Sequence, residues 1–132
     1  MKQRLIFLMA ILSGVSGTVF ADCKDFLVPG KQYSVEYTTT VGPVEVGRVQ
    51  RQMITATRTT VEDQCMKLSG TFAGSWAMTL KGCDTLELVA LRSGDGNMTG
   101  QGTCKGDVAT GSFGYVDGAN QTFGYDFKIT RQ

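Results

Sequence analysis

The sequence predicts an all-β protein in which about eight short antiparallel strands form a meander that closes, or nearly closes, into a barrel. Three observations lead to this fold class. Apolar and polar residues alternate along much of the chain, turn-forming residues recur between the alternating runs, and no long stretch has a helical period. A sandwich of two sheets is the alternative, because its strands alternate in the same way. Two disulfides are expected to staple the fold in either form.

The first predicted strand contains Tyr33, Val35 and Tyr37, which alternate with three polar residues. Val41-Gly42-Pro43 follows as a turn, because glycine and proline favour turn conformations. Runs of β-branched residues after this turn predict two further strands. These are Val44–Val49 and Met53–Val61.

The longest alternating segment runs from Met66 to Lys81, with apolar residues and glycines at one parity and mainly polar residues at the other. Fully extended, it would measure about 50 Å, whereas a domain of this size has a radius of gyration of about 13 Å. The segment must therefore bend, and Ala73-Gly74-Ser75 is the expected place.

Turn-rich segments separate the remaining strands. Ser93-Gly94-Asp95-Gly96-Asn97 and Asp117-Gly118-Ala119-Asn120 combine residues that favour turns. Since no repeat or linker interrupts the pattern, residues 22–132 are expected to form a single all-β domain. The predicted strands in this part are Leu86–Leu91, Met98–Cys104, Val108–Val116 and Thr122–Thr130.

The first 21 residues have the pattern of a cleaved signal peptide. Lys2 and Arg4 precede an apolar run from Leu5 to Leu12. Val19-Phe20-Ala21 then offers a cleavage site before Asp22. The apolar run is shorter than the roughly 20 residues that span a bilayer. We therefore expect an exported protein, periplasmic or secreted, whose mature chain has no membrane span.

All four cysteines lie in the expected mature chain, and an even number in a small exported protein indicates disulfides. The sequence favours Cys23–Cys65 with Cys83–Cys104, because these residues are nearest along the chain. A zinc site is disfavoured, because the chain has no CxxC pair and no histidine. No metal and no cofactor are expected.

The turns of the predicted barrel are the expected site for a protein partner, because loops on a rigid scaffold carry specificity. Trp76, beside a turn, is a candidate aromatic anchor, although its parity with Phe72 and Met78 also fits a core position. Asn97 and Asn120 each begin an N-glycosylation acceptor pattern, which matters only in a host that glycosylates exported proteins. The expected partner-binding residues are Ser93, Asp95, Asn97, Asp117, Asn120 and Trp76.

A row of glycines offers an alternative site, an interior pocket for a small molecule. Met98, Gly100, Gly102 and Cys104 share one strand parity, and aromatic residues share a parity on each of the next two strands. Such glycines either let aromatic rings pack on bare backbone or leave a hollow for a ligand. The residues of the expected pocket are Gly100, Gly102, Phe113, Tyr115, Phe123 and Tyr125.

Composition argues against several other functions. Lys+Arg 13 nearly balance Asp+Glu 12, so the chain lacks the basic excess of a nucleic-acid-binding protein. Histidine is absent and the cysteines are expected to form disulfides, which removes the usual nucleophile–base pairs, and no catalytic residue is assigned. The sequence predicts a non-enzymatic module that binds or inhibits a protein partner. A small-molecule carrier is the alternative, and a carboxylate-dependent hydrolase is less favoured.

Overall fold

The computed structural model describes residues 22–42, 45–73, 75–93 and 96–132, so the expected signal peptide and Asp95 lie outside the described residues. The chain forms an antiparallel meander that closes into a barrel, with the last strand paired to the first. This confirms the predicted all-β meander in its closed-barrel form. The strands are β1 (Tyr33–Val41), β2 (Val49–Glu62), β3 (Cys65–Phe72), β4 (Trp76–Gly82), β5 (Leu86–Leu91), β6 (Met98–Lys105), β7 (Val108–Val116) and β8 (Thr122–Arg131).

The alternation in the sequence becomes an inner and an outer face of the barrel. In β5, Leu86, Leu88 and Ala90 are buried while the residues between them are exposed. Removing such side chains from water stabilises the fold by roughly 1.5–3 kcal/mol for each large aliphatic group.

No helix long and apolar enough to cross a membrane occurs in the described residues.

The long alternating segment bends at the expected place. β3 ends at Phe72, β4 begins at Trp76, and these two residues pair across the resulting hairpin. Ala73 has a φ of 51°, a left-handed conformation that reverses the chain direction.

The strand predicted at Val44–Val49 is wrong. Val44 lies outside the described residues; residues 45–48 belong to the connection between β1 and β2, and Val49 begins β2. Gly47 has a φ of 91°, and its N–H donates a hydrogen bond to the carbonyl oxygen of Thr39 at 2.8 Å. The valines favour a strand, but the left-handed glycine ends the extended conformation.

The disulfide pairing favoured by the sequence, Cys23–Cys65 with Cys83–Cys104, is also wrong. The bridges join Cys23 to Cys104 and Cys65 to Cys83, which are 81 and 18 residues apart in the chain. The strand register decides the pairing, because it brings cysteines close in space regardless of their distance along the chain. Two intact disulfides indicate that the folded protein belongs to an oxidising, exported environment.

The bridge between Cys65 and Cys83 follows directly from the β3–β4 register. Met66 pairs with Gly82, so Cys65 and Cys83, the next residues outward, face each other at the open end of the hairpin. Their Cα atoms are 5.2 Å apart, within the usual range for a disulfide.

Residues 22–32, which we call the N-terminal segment, pack against one end of the barrel, the stapled end. Cys23 is bridged to Cys104, a buried residue of β6. The N–H of Cys23 also donates to the carbonyl oxygen of Cys83 at 2.8 Å. The segment buries Phe26 and Leu27 in the core, so the covalent bridge and apolar burial hold it together.

The hydroxyl of Tyr33 adds a polar contact at the stapled end. It donates to the carbonyl oxygen of Phe26 at 3.1 Å and accepts from the N–H of Val28 at 2.7 Å. Because Tyr33 is fully buried, these bonds satisfy a hydroxyl that would otherwise be costly to remove from water.

The two halves of β2 pair with different neighbouring strands. Val49–Ile54 pairs with β1, whereas the residues from Thr55 to Glu62 pair with β3. The register with β3 shifts at Thr57, which indicates a β-bulge. On the side towards β1, the residues from Thr55 to Glu62 therefore form an edge that pairs with no other described strand, which we call the free edge.

Candidate functional site

Because successive strands run in opposite directions, every second connection lies at the same end of the barrel. Four connections lie opposite the stapled end, at what we call the loop end. They join β1 to β2, β3 to β4, β5 to β6 and β7 to β8. Their residues are 42–48, 73–75, 92–97 and 117–121.

The two loops singled out by the sequence, 92–97 and 117–121, are neighbours at the loop end. The N–H of Gly96 donates to the carbonyl oxygen of Val116 at 2.8 Å, and Val116 directly precedes the second loop. The side chains of Ser93, Asn97 and Asn120 are exposed. The structure thus brings together expected partner-binding residues that lie more than twenty positions apart in the chain.

Asp117 stabilises its own loop. Its Oδ1 accepts hydrogen bonds from the N–H of Ala119 at 3.0 Å and from the N–H of Gln121 at 2.8 Å. Asn120 has a φ of 66°, a left-handed conformation that asparagine tolerates better than most residues. These features give the loop a defined conformation and leave the Asn120 side chain in solvent.

Trp76 is not an exposed anchor, because only 4% of it is accessible to solvent. The Tyr115 ring lies 4.9 Å from it between centroids, and the guanidinium carbon of Arg92 lies 4.5 Å from its ring centroid. Phe123 stacks on Tyr115, with centroids 4.7 Å apart and planes 5° from parallel. These rings form an aromatic floor beneath the loops, with Trp76 in the core position that its parity also allowed.

A groove of about 470 Å³ lies beside the two loops, and we call it the loop-end groove. It is lined by Asn97, Thr99, Val116 and Thr122, and by the aromatic floor residues Tyr115 and Phe123. Val116 is an exposed apolar side chain, 41% accessible. The groove therefore combines amide and hydroxyl groups with apolar and aromatic surface, a mixture typical of protein interfaces.

The glycine row faces a filled interior. A Cβ atom added at Gly102 would lie 2.8 Å from Cζ of Phe127 and 2.6 Å from the carbonyl oxygen of Thr110. One added at Gly100 would lie 2.5 Å from Cβ of Phe113. These distances favour the interpretation in which rings pack on bare backbone.

Phe127, which is absent from the expected pocket residues, is the ring that covers Gly102. It shares its strand parity with Phe123 and Tyr125, and this parity is the sequence signal that finds it. The rings of Phe113 and Tyr125 stack at 5.0 Å between centroids, so two expected pocket residues pack against each other.

Polar side chains lie on the inner face of the barrel towards the loop end. The Tyr37 hydroxyl donates to Oε1 of Gln50 at 3.0 Å, and the rings of Tyr37 and Tyr125 meet edge to face at 5.5 Å. Thr39 pairs with Tyr125 in the β1–β8 register and is 1% exposed. Its hydroxyl has no hydrogen-bond partner among the described residues. Sequence reasoning missed Thr39, although the residue continues the buried parity of Tyr33 and Tyr37, and this parity is the signal that could have found it.

Burial, with the neighbouring Tyr115 and Tyr37, raises the pKa of Tyr125 to about 12. Burial also raises the pKa of Tyr33, although the hydrogen bond from Val28 opposes it, and it raises the pKa of Tyr37. An unfolded tyrosine ionises near pH 10, so above that pH the folded state retains protons that the unfolded state has lost.

Stability is therefore expected to fall as the pH rises from about 10 to about 12, with no loss from this source below pH 10. Urea unfolding at a series of pH values measures it. The carboxylates of Asp63 and Glu62 also raise the pKa of Lys81, so the Tyr125→Phe variant is the control that isolates Tyr125. Its stability should fall less steeply, and an unchanged slope would contradict the assignment to Tyr125.

Within the described ranges, no group of three or more histidine, cysteine, aspartate or glutamate residues is arranged to hold a metal ion. The chain matches no family model, and no curated protein or solved structure is similar enough to count as a relative.

Proposed function

We propose that this protein is an exported, non-enzymatic binding module that binds or inhibits a protein partner through the loop end of its barrel. The observation that carries the proposal is the position of loops 92–97 and 117–121, which are neighbours beside the loop-end groove. Asn97 of the first loop lines this groove, and Val116 and Thr122, the residues on either side of the second loop, line it as well. Aromatic surface from Tyr115 and Phe123 completes the lining.

The two ends of the barrel differ in a way that supports this choice. The N-terminal segment and its bridge to Cys104 pack against the stapled end. At the loop end, most described residues of the connections are exposed, over a floor of packed rings. Loops held by Asp117 and by the Gly96–Val116 hydrogen bond lose little conformational freedom on binding, which favours affinity.

The proposed location is the periplasm or the extracellular space. The two disulfides agree with an oxidising compartment, and the signal-peptide pattern of the first 21 residues agrees with export. A disulfide-bonded barrel with ordered loops suits a compartment in which proteases attack flexible chains.

Site-specific photo-crosslinking in the native host tests the proposal. A photoreactive residue in place of Asn97 is expected to capture one protein at fixed stoichiometry, because Asn97 lines the loop-end groove. The same residue in place of Lys105, exposed on β6 near the stapled end, is the matched control and should not capture that protein.

With the captured partner purified, Asn97→Ala should weaken binding by about tenfold without lowering the melting temperature. Asn97 is exposed, so its truncation removes no core contact. Equal crosslinking from both positions, or unchanged affinity of the Asn97→Ala variant, would count against the loop-end site.

A small-molecule carrier is the second candidate, and one observation favours it. The buried Thr39 hydroxyl has no partner in the described part of the chain, and it lies on the inner face near Tyr37 and Tyr125. A small polar ligand there would satisfy it. Native mass spectrometry of the protein from its own compartment separates the two functions: a small mass lost on denaturation supports a carrier, and a bound second protein supports the module.

A further inference from the structure

The free edge of β2 borders a second groove, on the side of the barrel, which we call the edge groove. It has a volume of about 670 Å³ and lies between residues 29–32 of the N-terminal segment and residues 53–59 of β2. Ile54 and Leu68, which are 5% and 1% exposed, reach it from the core. The edge groove thus has an apolar base beside an unpaired strand.

Backbone groups along the free edge have no partner across the groove. β1 pairs with β2 only as far as Ile54, and no backbone hydrogen bond joins residues 29–32 to residues 55–62. In an antiparallel strand, the N–H and C=O groups of every second residue point away from the paired neighbour. Such groups are a template on which another extended chain can pair.

The charge of the edge groove indicates what kind of chain would bind. Among the described residues that line it, Lys31 and Arg58 are the charged ones, and both are exposed. Neither forms an ion pair with another described residue. By contrast, Arg51, in the part of β2 that pairs with β1, forms an ion pair with Glu36 at 2.6 Å. The edge groove therefore carries unneutralised positive charge.

We propose that the free edge of β2 binds an extended acidic segment of a partner protein as an additional strand. The segment's backbone would pair with alternate residues between Thr55 and Glu62. Its apolar side chains would cover Ile54 and Leu68, and its carboxylates would lie beside Lys31 and Arg58. This surface is on the side of the barrel, so it is independent of the loop end.

Fluorescence anisotropy with a labelled probe tests the proposal. The probe is a capped peptide of alternating valine and glutamate, and its control has lysine in place of glutamate. The mature, disulfide-bonded protein is expected to bind the glutamate probe saturably. Its affinity for the lysine probe should be lower by a factor of about ten or more. Hydrogen exchange of amides between Thr55 and Glu62 should slow when the glutamate probe binds.

Charge reversal provides the matched variants. K31E/R58E changes two exposed side chains and should weaken binding of the glutamate probe by about tenfold or more. K105E, a reversal at an exposed position of β6 outside the groove, should leave it unchanged. Crosslinking from Asn97 should be the same in K31E/R58E, so this proposal and the loop-end proposal fail separately.

Three results would overturn the proposal: no saturable binding of the glutamate probe, equal affinity for both probes, or binding without protection of the free edge. Concentration-dependent dimerisation without any probe, with protection of the same amides, would also overturn it. That result would assign the edge to a second copy of this chain.

Discussion

Removing the Cys23–Cys104 disulfide, as in C23S/C104S, is expected to lower the free energy of unfolding by about 4.5 kcal/mol on the chain-entropy model. Removing Cys65–Cys83, as in C65S/C83S, is expected to cost about 3 kcal/mol. The difference arises because the first bridge joins residues 81 apart and the second joins residues 18 apart. A longer closed loop restricts the unfolded chain more.

The Cys23–Cys104 bridge also holds the N-terminal segment, so its loss should expose Phe26 and Leu27. Since small domains are stable by only about 5–15 kcal/mol, the variant should unfold at much lower urea concentration than the parent. Urea unfolding of both double variants measures the two costs. A larger cost for C65S/C83S would contradict the expected order.

Peptide mapping without reduction checks the bridges independently of any variant. It should yield a peptide pair joined through Cys23 and Cys104 and another joined through Cys65 and Cys83. A pair joined through Cys23 and Cys65 would show that the barrel register around these residues is different.

Gly102→Leu is expected to destabilise the protein by about 3 kcal/mol, the upper part of the usual range for overpacking a core. The new side chain would enter space held by the Phe127 ring, and its Cβ would lie 2.6 Å from the backbone oxygen of Thr110. A backbone atom in a hydrogen-bonded strand cannot move aside as a flexible side chain can. Thermal or urea unfolding measures the loss.

Two further variants separate the causes of this loss. Gly102→Ala meets the Thr110 oxygen but extends no further, so it should cost less than Gly102→Leu. Phe127→Leu in the Gly102→Leu background should recover part of the stability, and a double-mutant cycle measures that coupling. Unchanged stability of Gly102→Leu would mean that the space beside Gly102 is empty, and it would restore the interior pocket.

Part of the candidate site could be recognised in the sequence. Turn-forming residues identify the loops that contain Ser93, Asn97 and Asn120, and these side chains are exposed in the structure. Their position at the same end of the barrel follows from the predicted antiparallel meander, which the strand order confirms, whereas their contact through the Gly96–Val116 hydrogen bond depends on the strand register. Trp76 shows the same limit, since its position beside a turn and its parity with Phe72 give opposite expectations. Packing against Tyr115 decides between them.

The free edge of β2 has no signature in the sequence. Most of its residues are β-branched, like those of a strand paired on both sides. Whether an edge is paired depends on the stagger between neighbouring strands, which in a barrel is set by closure of the whole sheet. The edge groove therefore appears only when the pairings of β1, β2 and β3 are known.

The sequence by itself determined most of the strands and their apolar faces, although the strand predicted at Val44–Val49 is wrong. β5 and β7 have the predicted bounds, because alternation and turn residues are local properties of the chain. Tertiary structure alone decided the closure of the barrel, the disulfide partners, the filling of the space beside Gly102 and the burial of Trp76. Each of these depends on register between strands, and register is set by the combined packing of all eight strands around one core.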